Sequence, residues 1–338
     1  MRCRKKAKRN LKILCGIFGL CAVSSKIKKN KEKNNKNIEF TDFLNDIQLT
    51  EQAYDGYIYH YTSSEATKNI LENRELRFVD RYYLNDYSEG RYSIELTLKH
   101  LNELIKNKKQ NKEFYKIIKE ELEDRKKNLQ NNHFYVYQCS FSINKDSLPL
   151  WNYYARDNNI KGYNLKFRAD KLKKSVAANF NGVNIRNVYA GKVVYKKAKQ
   201  LQIIREILKK FEKYYENNKN SVDLKTLANY AVKKIYQQGV FFKKECFSAE
   251  EEYRIILILH GAKGVIRPTN EKLKFIERNG QYIPYVNRKF DITTLEGIRM
   301  SPTLNEKETR ESLYSICKIY YPKLKKENIK KSEIPVRY

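Results

Sequence analysis

The sequence FSAEEEYRIILIL, residues 247–259, constrains the fold more than any other part of the chain. It places three consecutive glutamates, a tyrosine and an arginine directly before five apolar residues. A short, continuous apolar run of this kind is typical of a strand that is buried on both faces. An ionised carboxylate that is buried without a partner costs several kcal/mol. The acidic end of this strand therefore requires a neighbouring cation or a ligand.

Alternate residues of a strand share a face, so the pattern predicts Glu250, Glu252 and Arg254 side by side. Two interpretations follow. In the first, the carboxylates are held in a structural ion pair by Arg254 or by a lysine across the sheet. In the second, they act on a bound ligand, since clustered ionisable groups also occur at functional sites.

The remaining pattern predicts an α+β fold with a split, mixed or antiparallel β-sheet and inserted amphipathic helical hairpins. A strand, a helix capped between Thr62 and Ser64, and a second strand are expected over 57–80. Helical spacing over 92–130 predicts an exposed hairpin, and spacing over 198–238 predicts two core-facing helices. Further strands are expected at 133–143, 161–167, 188–195, 252–259, 295–302 and 315–322.

Two regions are expected, residues 1–37 and a single domain over 38–338. The first has a basic head, an apolar run over 11–23 and a Lys/Asn-rich linker. This layout is typical of a signal peptide, and Cys21 offers a lipid-anchor alternative. An extended start before a cytoplasmic domain is the other interpretation. The unpaired cysteines Cys139, Cys246 and Cys317 favour a reducing, cytoplasmic environment.

The formal net charge is +30, and residues 1–37 hold 13 Lys/Arg and one acid, hence +12, leaving +18 for the rest. Such a charge suits a nucleic-acid partner, although the joint abundance of Lys, Asn, Ile and Tyr also fits an AT-rich coding sequence. The six cysteines and four histidines show no metal-ligand spacing, so no metal site is predicted. No glycine-rich phosphate loop is present, which excludes P-loop and Rossmann sites.

A set of motifs follows in order along the chain: YHYTS, ILENRELRF, LNDYSEG, CSFS, DSLPLWNYYA, GYNLKF, FFKKECFSAEEEYRI and the ending KKSEIPVRY. In this order they resemble the bacterial domain of unknown function 2971. The family pattern W-x-x-E-x-E-x-R corresponds to Phe247, Glu250, Glu252 and Arg254, with phenylalanine in place of tryptophan. The resemblance covers most of 57–338 and implies no particular activity.

The predicted strands carry, in order, His60, then Ser140 with Ser142, then Glu250 with Glu252. This order resembles the ADP-ribosyltransferase superfamily. In that superfamily a His or Arg on the first strand, a Ser-x-Ser or a Tyr on a middle strand and a Glu on a late strand form the NAD site. The resemblance implies an ADP-ribosyltransferase-like fold and NAD as the substrate cofactor.

It also implies the role of each charged residue. Cleavage of the nicotinamide–ribose bond builds positive charge on the ribose, which a carboxylate stabilises. Glu252 would stabilise that charge, and Glu250 would orient or deprotonate the acceptor. Arg254 would hold Glu250 or contact a phosphate.

The same resemblance assigns His60 to a ribose of NAD and either Trp151 or Tyr154 to stacking on nicotinamide. In the structural alternative, Trp151 and Tyr154 are core anchors. The acceptor, a protein or a nucleic acid, is not indicated by the residues. A transferase of this type would suit a bacterial toxin, effector or defence protein.

Three other hypotheses remain open. The first is a non-catalytic nucleic-acid-binding module that uses the basic body and its tyrosines. The second is a partner-binding domain in which the Glu-x-Glu-x-Arg strip is only an ion-pair ladder. The third is a nuclease that uses Asp86, Glu89 and Glu252 around a metal, although their spacing matches no known ligand set.

Overall fold

The computed structural model describes residues 39–47, 49–84, 91–107, 110–128, 134–157, 159–178, 188–219, 221–260 and 273–336. The chain divides into two compact units, 1–48 with 213–223, and 49–212 with 224–338. The predicted leader, 1–37, lies outside the described residues, as do Asp86 and Glu89 of the nuclease hypothesis. The predicted division at residue 37 and the three interpretations of the leader therefore stay predictions.

The smaller unit contains helix α1, residues 39–46 of the described chain. Its aromatic side chains pack on Tyr214 of the same unit. The ring of Phe43 is 4.1 Å from that of Tyr214 and nearly parallel to it, and Phe40 lies 5.5 Å from the same ring. Aromatic stacking thus joins the two sequence segments of this unit.

The larger unit contains a mixed sheet in which ten described strands take part. A separate two-stranded hairpin is formed by β4 and β5. The strands are β1 (Tyr57–Ser63), β2 (Glu75–Asp80), β3 (Phe134–Ser142), β4 (Arg156–Asp157), β5 (Asn159–Ile160), β6 (Gly162–Arg168), β7 (Val188–Lys192), β8 (Glu252–His260), β9 (Lys274–Arg278), β10 (Gln281–Lys289), β11 (Leu295–Met300) and β12 (Ile329–Lys331).

The sheet divides at β3. Its strand order is β12-β11-β6-β1-β3-β2-β10-β9, with β8 paired to β3 and β7 paired to β8. One edge of β3 is covered by β8 from end to end. The other edge pairs with β1 at Ser142 and with β2 at Gln138. Two strands share this edge, so the sheet splits there, and the predicted split mixed sheet is confirmed. Its likeness to ADP-ribosyltransferases stays a prediction.

Strand β8 is buried on both faces, as its apolar run predicts. On one face, Ile255 and Leu257 belong to the main core, which helices cover. On the other face, Ile256 and Ile258 pack against Val240. A strand enclosed on both sides has no solvent face to mark with alternating polar residues, which explains the unbroken apolar sequence.

The helices predicted over 92–130 and over 198–238 are confirmed. The α-helices that follow α1 are α2 (Ser64–Asn73), α3 (Tyr92–Asn107), α4 (Lys112–Lys127), α5 (Leu148–Tyr154), α6 (Ala169–Ala178), α7 (Lys197–Asn217), α8 (Leu224–Gln238) and α9 (Glu306–Tyr320). The predicted cap of α2 is confirmed, because Ser63 accepts a hydrogen bond from the N–H of Ala66. Phe114, Ile118 and Leu122 of α4 are fully buried. The prediction that the helices over 92–130 are exposed is therefore wrong for α4, because α4 packs on α8.

The strand predicted at 315–322 is wrong, because residues 315–320 belong to helix α9, which ends at Tyr320. Leu313 and Cys317, four residues apart, are its buried positions, and that spacing is helical. Asn305 caps the helix by accepting a hydrogen bond from the N–H of Glu308. The short apolar run within 315–322 was interpreted as a strand, and the helical spacing of four residues was therefore missed. The strand predicted at 295–302 is confirmed as β11.

Candidate functional site

The pairing of β3 with β8 brings the Ser-x-Ser and Glu-x-Arg motifs together. Ser142 lies opposite Glu252, and Ser140 lies opposite Arg254. Opposed residues of an antiparallel pair project from the same face, so the four side chains share one side of the sheet. The predicted shared face of Glu252 and Arg254 is confirmed. The assignment of these four residues to an NAD site stays a prediction.

The prediction that Glu250 shares this strand face is wrong, because β8 begins only at Glu252. Glu250 ends a short 3-10 helix, Glu245–Glu250. Between them, Glu251 has a left-handed backbone with φ of 44°, uncommon for a residue other than glycine. Its carbonyl accepts a hydrogen bond from the N–H of Ile143, and its carboxylate accepts one from the side-chain amide of Asn144. These two hydrogen bonds stabilise the turn between Glu250 and Glu252.

Glu252 is the centre of a buried ion-pair network. It is 5% exposed, and Arg254 binds it with two hydrogen bonds, Nε to Oε1 at 2.8 Å and Nη2 to Oε2 at 2.7 Å. The ammonium of Lys243 lies 3.3 Å from Oε2. Burial alone would raise the pKa of Glu252, but Arg254, then Lys243 and Ser140, outweigh it and lower the pKa to about 2. Glu252 is therefore ionised and fully neutralised.

Two residues that the sequence analysis missed complete the network. Lys243 also binds Glu250, with its ammonium 2.6 Å from the carboxylate. Burial lowers the pKa of Lys243, but the carboxylates of Glu252 and Glu250 outweigh burial and raise it. The hydroxyl of Tyr195 accepts the backbone N–H of Glu252 at 2.9 Å. Arg254 is completely buried and donates to the carbonyl of Val240 at 2.6 Å. We call Lys243, Glu250, Glu252 and Arg254 the carboxylate cluster; it is the ion pair that the sequence left open as the structural alternative.

Glu250 is the more accessible carboxylate of the cluster. Its side chain is 19% exposed, against 5% for Glu252. Burial raises the pKa of Glu250, and its ion pair with Lys243 opposes that effect. The hydroxyl of Ser142 donates to the Glu250 carbonyl at 2.8 Å, so this serine supports the turn that carries the carboxylate.

His60 does not join these residues on their face. Tyr59 lies opposite Ser142, so Tyr59 is on the side of Glu252 and His60 is on the other side. The His60 ring packs 5.4 Å from that of Phe141, and its Nδ1 lies 2.9 Å from the carbonyl of Ser140. Burial lowers the pKa of His60 and this carbonyl partly opposes the effect.

Trp151 is a core anchor, because it is fully buried and packs edge-on against Tyr61 at 4.8 Å. Its indole N–H donates to Asp146 at 2.8 Å. Asp146, which the sequence analysis missed, also accepts from Ser332 at 2.7 Å and from the N–H of Glu333 at 2.8 Å. This carboxylate joins the loop after β3 to the C-terminal segment.

Tyr154 lies on the same short helix as Trp151 but is 40% exposed, and its neighbour Tyr153 is 76% exposed. Their rings are 6.5 Å apart. Of the two predicted stacking residues, only Tyr154 therefore presents its ring to solvent.

On the face that carries Glu252, the other half of the sheet is basic and aromatic. Tyr57 lies opposite Arg168, and Tyr59 lies opposite Lys166. Arg299 follows on β11 on the same side, since it pairs with Asn164 of β6, and it adjoins Lys330 of β12. We call this surface the basic aromatic face; it comprises Tyr57, Tyr59, Lys166, Arg168, Arg299 and Lys330.

The cations of this face lie close to its aromatic rings and to one another. The Lys166 ammonium is 3.6 Å from the centre of the Tyr57 ring, and the Arg168 guanidinium is 5.4 Å from it. Burial lowers the pKa of Lys166; Glu296 opposes this, whereas Lys330, Arg168 and Arg299 lower it further. Positive charge is thus concentrated here. Arg299 is partly neutralised by Asp146 at 3.4 Å.

The described part of the chain contains no group of three or more His, Cys, Asp or Glu side chains that could hold a metal ion. Asp86 and Glu89 of the nuclease hypothesis are not described, and that hypothesis stays a prediction. Within the described ranges, no helix has the length and apolar character needed to cross a membrane.

Comparison with known proteins gives one family. Residues 150–255 match the family model described as protein of unknown function (DUF2971), a narrower range than the motifs suggested. No curated protein and no solved structure matches the chain. The matched segment runs from the Trp151 helix to the beginning of β8 and so includes the whole carboxylate cluster. Over residues 150–255 the chain is therefore similar to the proteins of unknown function DUF2971, the family that its motifs indicate.

Proposed function

We propose that the protein binds single-stranded nucleic acid on the basic aromatic face. The observation that carries the proposal is the set of four cations on β6, β11 and β12, Lys166, Arg168, Arg299 and Lys330, beside tyrosines of β1. Glu252, to which the ADP-ribosyltransferase resemblance assigns catalysis, is buried in an ion-pair network. On the basic aromatic face, Lys330 is exposed, the Arg299 side chain is 12% exposed and the other four members are half-buried.

The charges favour an anionic ligand. Cations on adjacent strands repel one another. Burial is the main cause of the lowered pKa of Lys166, and the neighbouring cations Lys330, Arg168 and Arg299 lower it further. Phosphates placed among them would relieve the repulsion and release counterions, which is the main source of affinity in nucleic-acid binding. The formal net charge of +30 would favour encounter with any polyanion.

The aromatic rings favour a single strand. Tyr57 and Tyr59 project from the same side of β1, and unpaired bases stack on exposed aromatic side chains, whereas paired bases are already stacked. Lys166 lies over Tyr57, so a phosphate bound to this lysine would bring its base next to the ring. The neighbouring Tyr54 lies under Lys192, 4.3 Å from its ammonium.

Two variants of equal charge test the proposal in the full chain. Lys166→Gln with Lys330→Gln removes two cations from the basic aromatic face, and Lys209→Gln with Lys210→Gln removes two exposed lysines from α7. Binding of a fluorescent 20-nucleotide single strand is followed by anisotropy at several salt concentrations.

The first variant is expected to bind on the order of tenfold more weakly at moderate salt. Its log–log salt slope should fall by about 1.4, because each phosphate contact on a single strand contributes about 0.7. The α7 variant should bind as the wild type does. Equal weakening by both variants would mean that only total charge matters, and would overturn the proposal.

ADP-ribosyl transfer is the second candidate, because Glu250 is partly exposed with a raised pKa and Ser142 supports its turn. In this role Glu250 would take a proton from the acceptor. Nicotinamide release from NAD is measured for wild type and Glu250→Gln. Release by wild type that is lost in Glu250→Gln supports this candidate. A wild type that releases no nicotinamide ends it.

A further inference from the structure

Helix α5 lies on the same side of the sheet as the basic aromatic face. Tyr57, Tyr59 and Tyr61 alternate along β1, so their side chains share that side. Leu150 and Trp151 of α5 pack on Tyr61 in one buried cluster, and Tyr59 adjoins this cluster. The Trp151 ring meets the Tyr61 ring edge-on at 4.8 Å. Side chains that α5 presents to solvent are therefore next to the basic aromatic face.

The outer side of α5 presents two tyrosines to solvent. Tyr153 is 76% exposed and Tyr154 is 40% exposed, and their ring centres are 6.5 Å apart. Tyr153 comes two residues after Trp151, so it lies on the opposite side of the helix from the buried indole. An exposed tyrosine contributes little to the core, whereas its ring can stack on an unpaired base.

An exposed lysine lies between α5 and the basic aromatic face. The carbonyl of Lys145 accepts a hydrogen bond from the side-chain amide of Asn164 at 3.0 Å. Asn164 shares its strand face with Lys166, two residues further along β6. The Lys145 side chain is exposed, whereas the next residue, Asp146, is 8% exposed and paired with Arg299. Lys145 therefore continues the positive charge of the face towards α5.

We propose that the single strand continues from the basic aromatic face onto α5, where its bases stack on Tyr153 and Tyr154. Lys145 binds the phosphate between the two parts of the site. This extension rests on the proposed nucleic-acid binding. It adds contacts to bases, and stacking on bases is independent of the phosphate charge. The site should therefore prefer a strand with bases over a polyanion of equal charge that has none.

Variants of the full chain separate base stacking from charge. Tyr153→Leu and Tyr154→Leu each remove one ring from α5. Tyr282→Leu is the matched control, because Tyr282 on β10 is 73% exposed. Each variant is titrated, by fluorescence anisotropy, with a 20-nucleotide thymidine strand and with an abasic strand of the same length and charge.

The two α5 variants should each raise the Kd for the thymidine strand about fivefold or more, as expected for the loss of one stacked base. Their log–log salt slopes should equal that of wild type, because no phosphate contact is removed. Their Kd for the abasic strand should not change, and Tyr282→Leu should bind both strands as wild type does. Lys145→Gln should lower the salt slope by about 0.7 for either strand.

The proposal is overturned if neither α5 variant weakens binding of the thymidine strand, or if both weaken binding of the abasic strand equally. The variant Lys166→Gln with Lys330→Gln separates this proposal from the one on which it rests. Weaker binding by that variant, with normal binding by both α5 variants, refutes only the extension onto α5. A wild type that binds neither strand refutes both proposals.

Discussion

Replacement of Glu252 by glutamine removes one negative charge from the carboxylate cluster while keeping the shape of the side chain. Arg254 and Lys243 then remain buried with too little countercharge. Loss of one partner of a buried ion pair typically costs about 3–5 kcal/mol of stability. Arg254 is completely buried and Glu252 is 5% exposed, so solvent screening offers little relief.

The pKa of Glu252 indicates the same direction. Burial alone would raise this pKa, but Arg254 and Lys243 outweigh burial and lower it from its ordinary 4.5 to about 2, so the ionised carboxylate stabilises the folded protein at neutral pH. Because the folded pKa lies below the unfolded one, this stabilisation is present above about pH 4.5. It is lost as the pH falls from 4.5 towards 2. The stability difference between wild type and Glu252→Gln should therefore narrow over that range.

Urea unfolding measured by tryptophan fluorescence is the appropriate assay, since Trp151 is the single tryptophan and is fully buried. Glu251→Gln is the control, because this neighbouring carboxylate is exposed; we expect a change below about 1 kcal/mol there. A Glu252→Gln variant as stable as wild type, or a stability difference that does not change between pH 4.5 and 2, would refute a structural role.

Three further predictions concern other parts of the fold. Asp146→Ala should lower the free energy of unfolding by about 2–4 kcal/mol, because the carboxylate accepts hydrogen bonds from an indole, a hydroxyl and a backbone N–H. In the same urea titration, the control Glu333→Ala should change this free energy little, since the Glu333 side chain is 73% exposed. Gly162→Ala should cost about 1–3 kcal/mol, since a Cβ there would lie 2.3 Å from a backbone oxygen of β1; a thermal shift measures this, and an unchanged Tm would contradict it. Iodoacetamide should label the exposed Cys246 in the folded protein but not the buried Cys139, because burial raises the pKa of the Cys139 thiol. Peptide mass spectrometry identifies the labelled cysteines. Labelling of Cys139 as early as Cys246 would contradict the prediction.

Local patterns were sufficient to predict the strand β8 and the pairing of Glu252 with Arg254. The unbroken apolar run identified a strand enclosed on both faces, and the two-residue spacing placed Glu252 and Arg254 side by side. The helices over 92–130 and over 198–238 followed from spacings of three and four. These features depend only on neighbouring residues, so a single sequence contains the information.

Features that depend on strand register could not be predicted. His60 faces away from Glu252 because Tyr59, and not His60, lies opposite Ser142; a shift of one residue would reverse this. Lys243 reaches the cluster from the segment before the turn, and Tyr195 comes from a distant part of the chain. No local period indicates such contacts.

The basic aromatic face could not be predicted for the same reason. Its residues come from four strands, β1, β6, β11 and β12, and only the sheet order places them together. In the sequence, Lys166 and Lys330 are two lysines among many, and the net charge gave no reason to select them.

Photo-crosslinking of a single strand containing 5-iodouracil to the full chain tests the central claim most directly, because it shows which residues the bases contact. Crosslinked peptides are identified by mass spectrometry, with the Lys166→Gln, Lys330→Gln variant as the control. We expect crosslinks at Tyr57 or Tyr59 that decrease in this variant. Crosslinks confined to residues 1–37, unchanged in the variant, would contradict it.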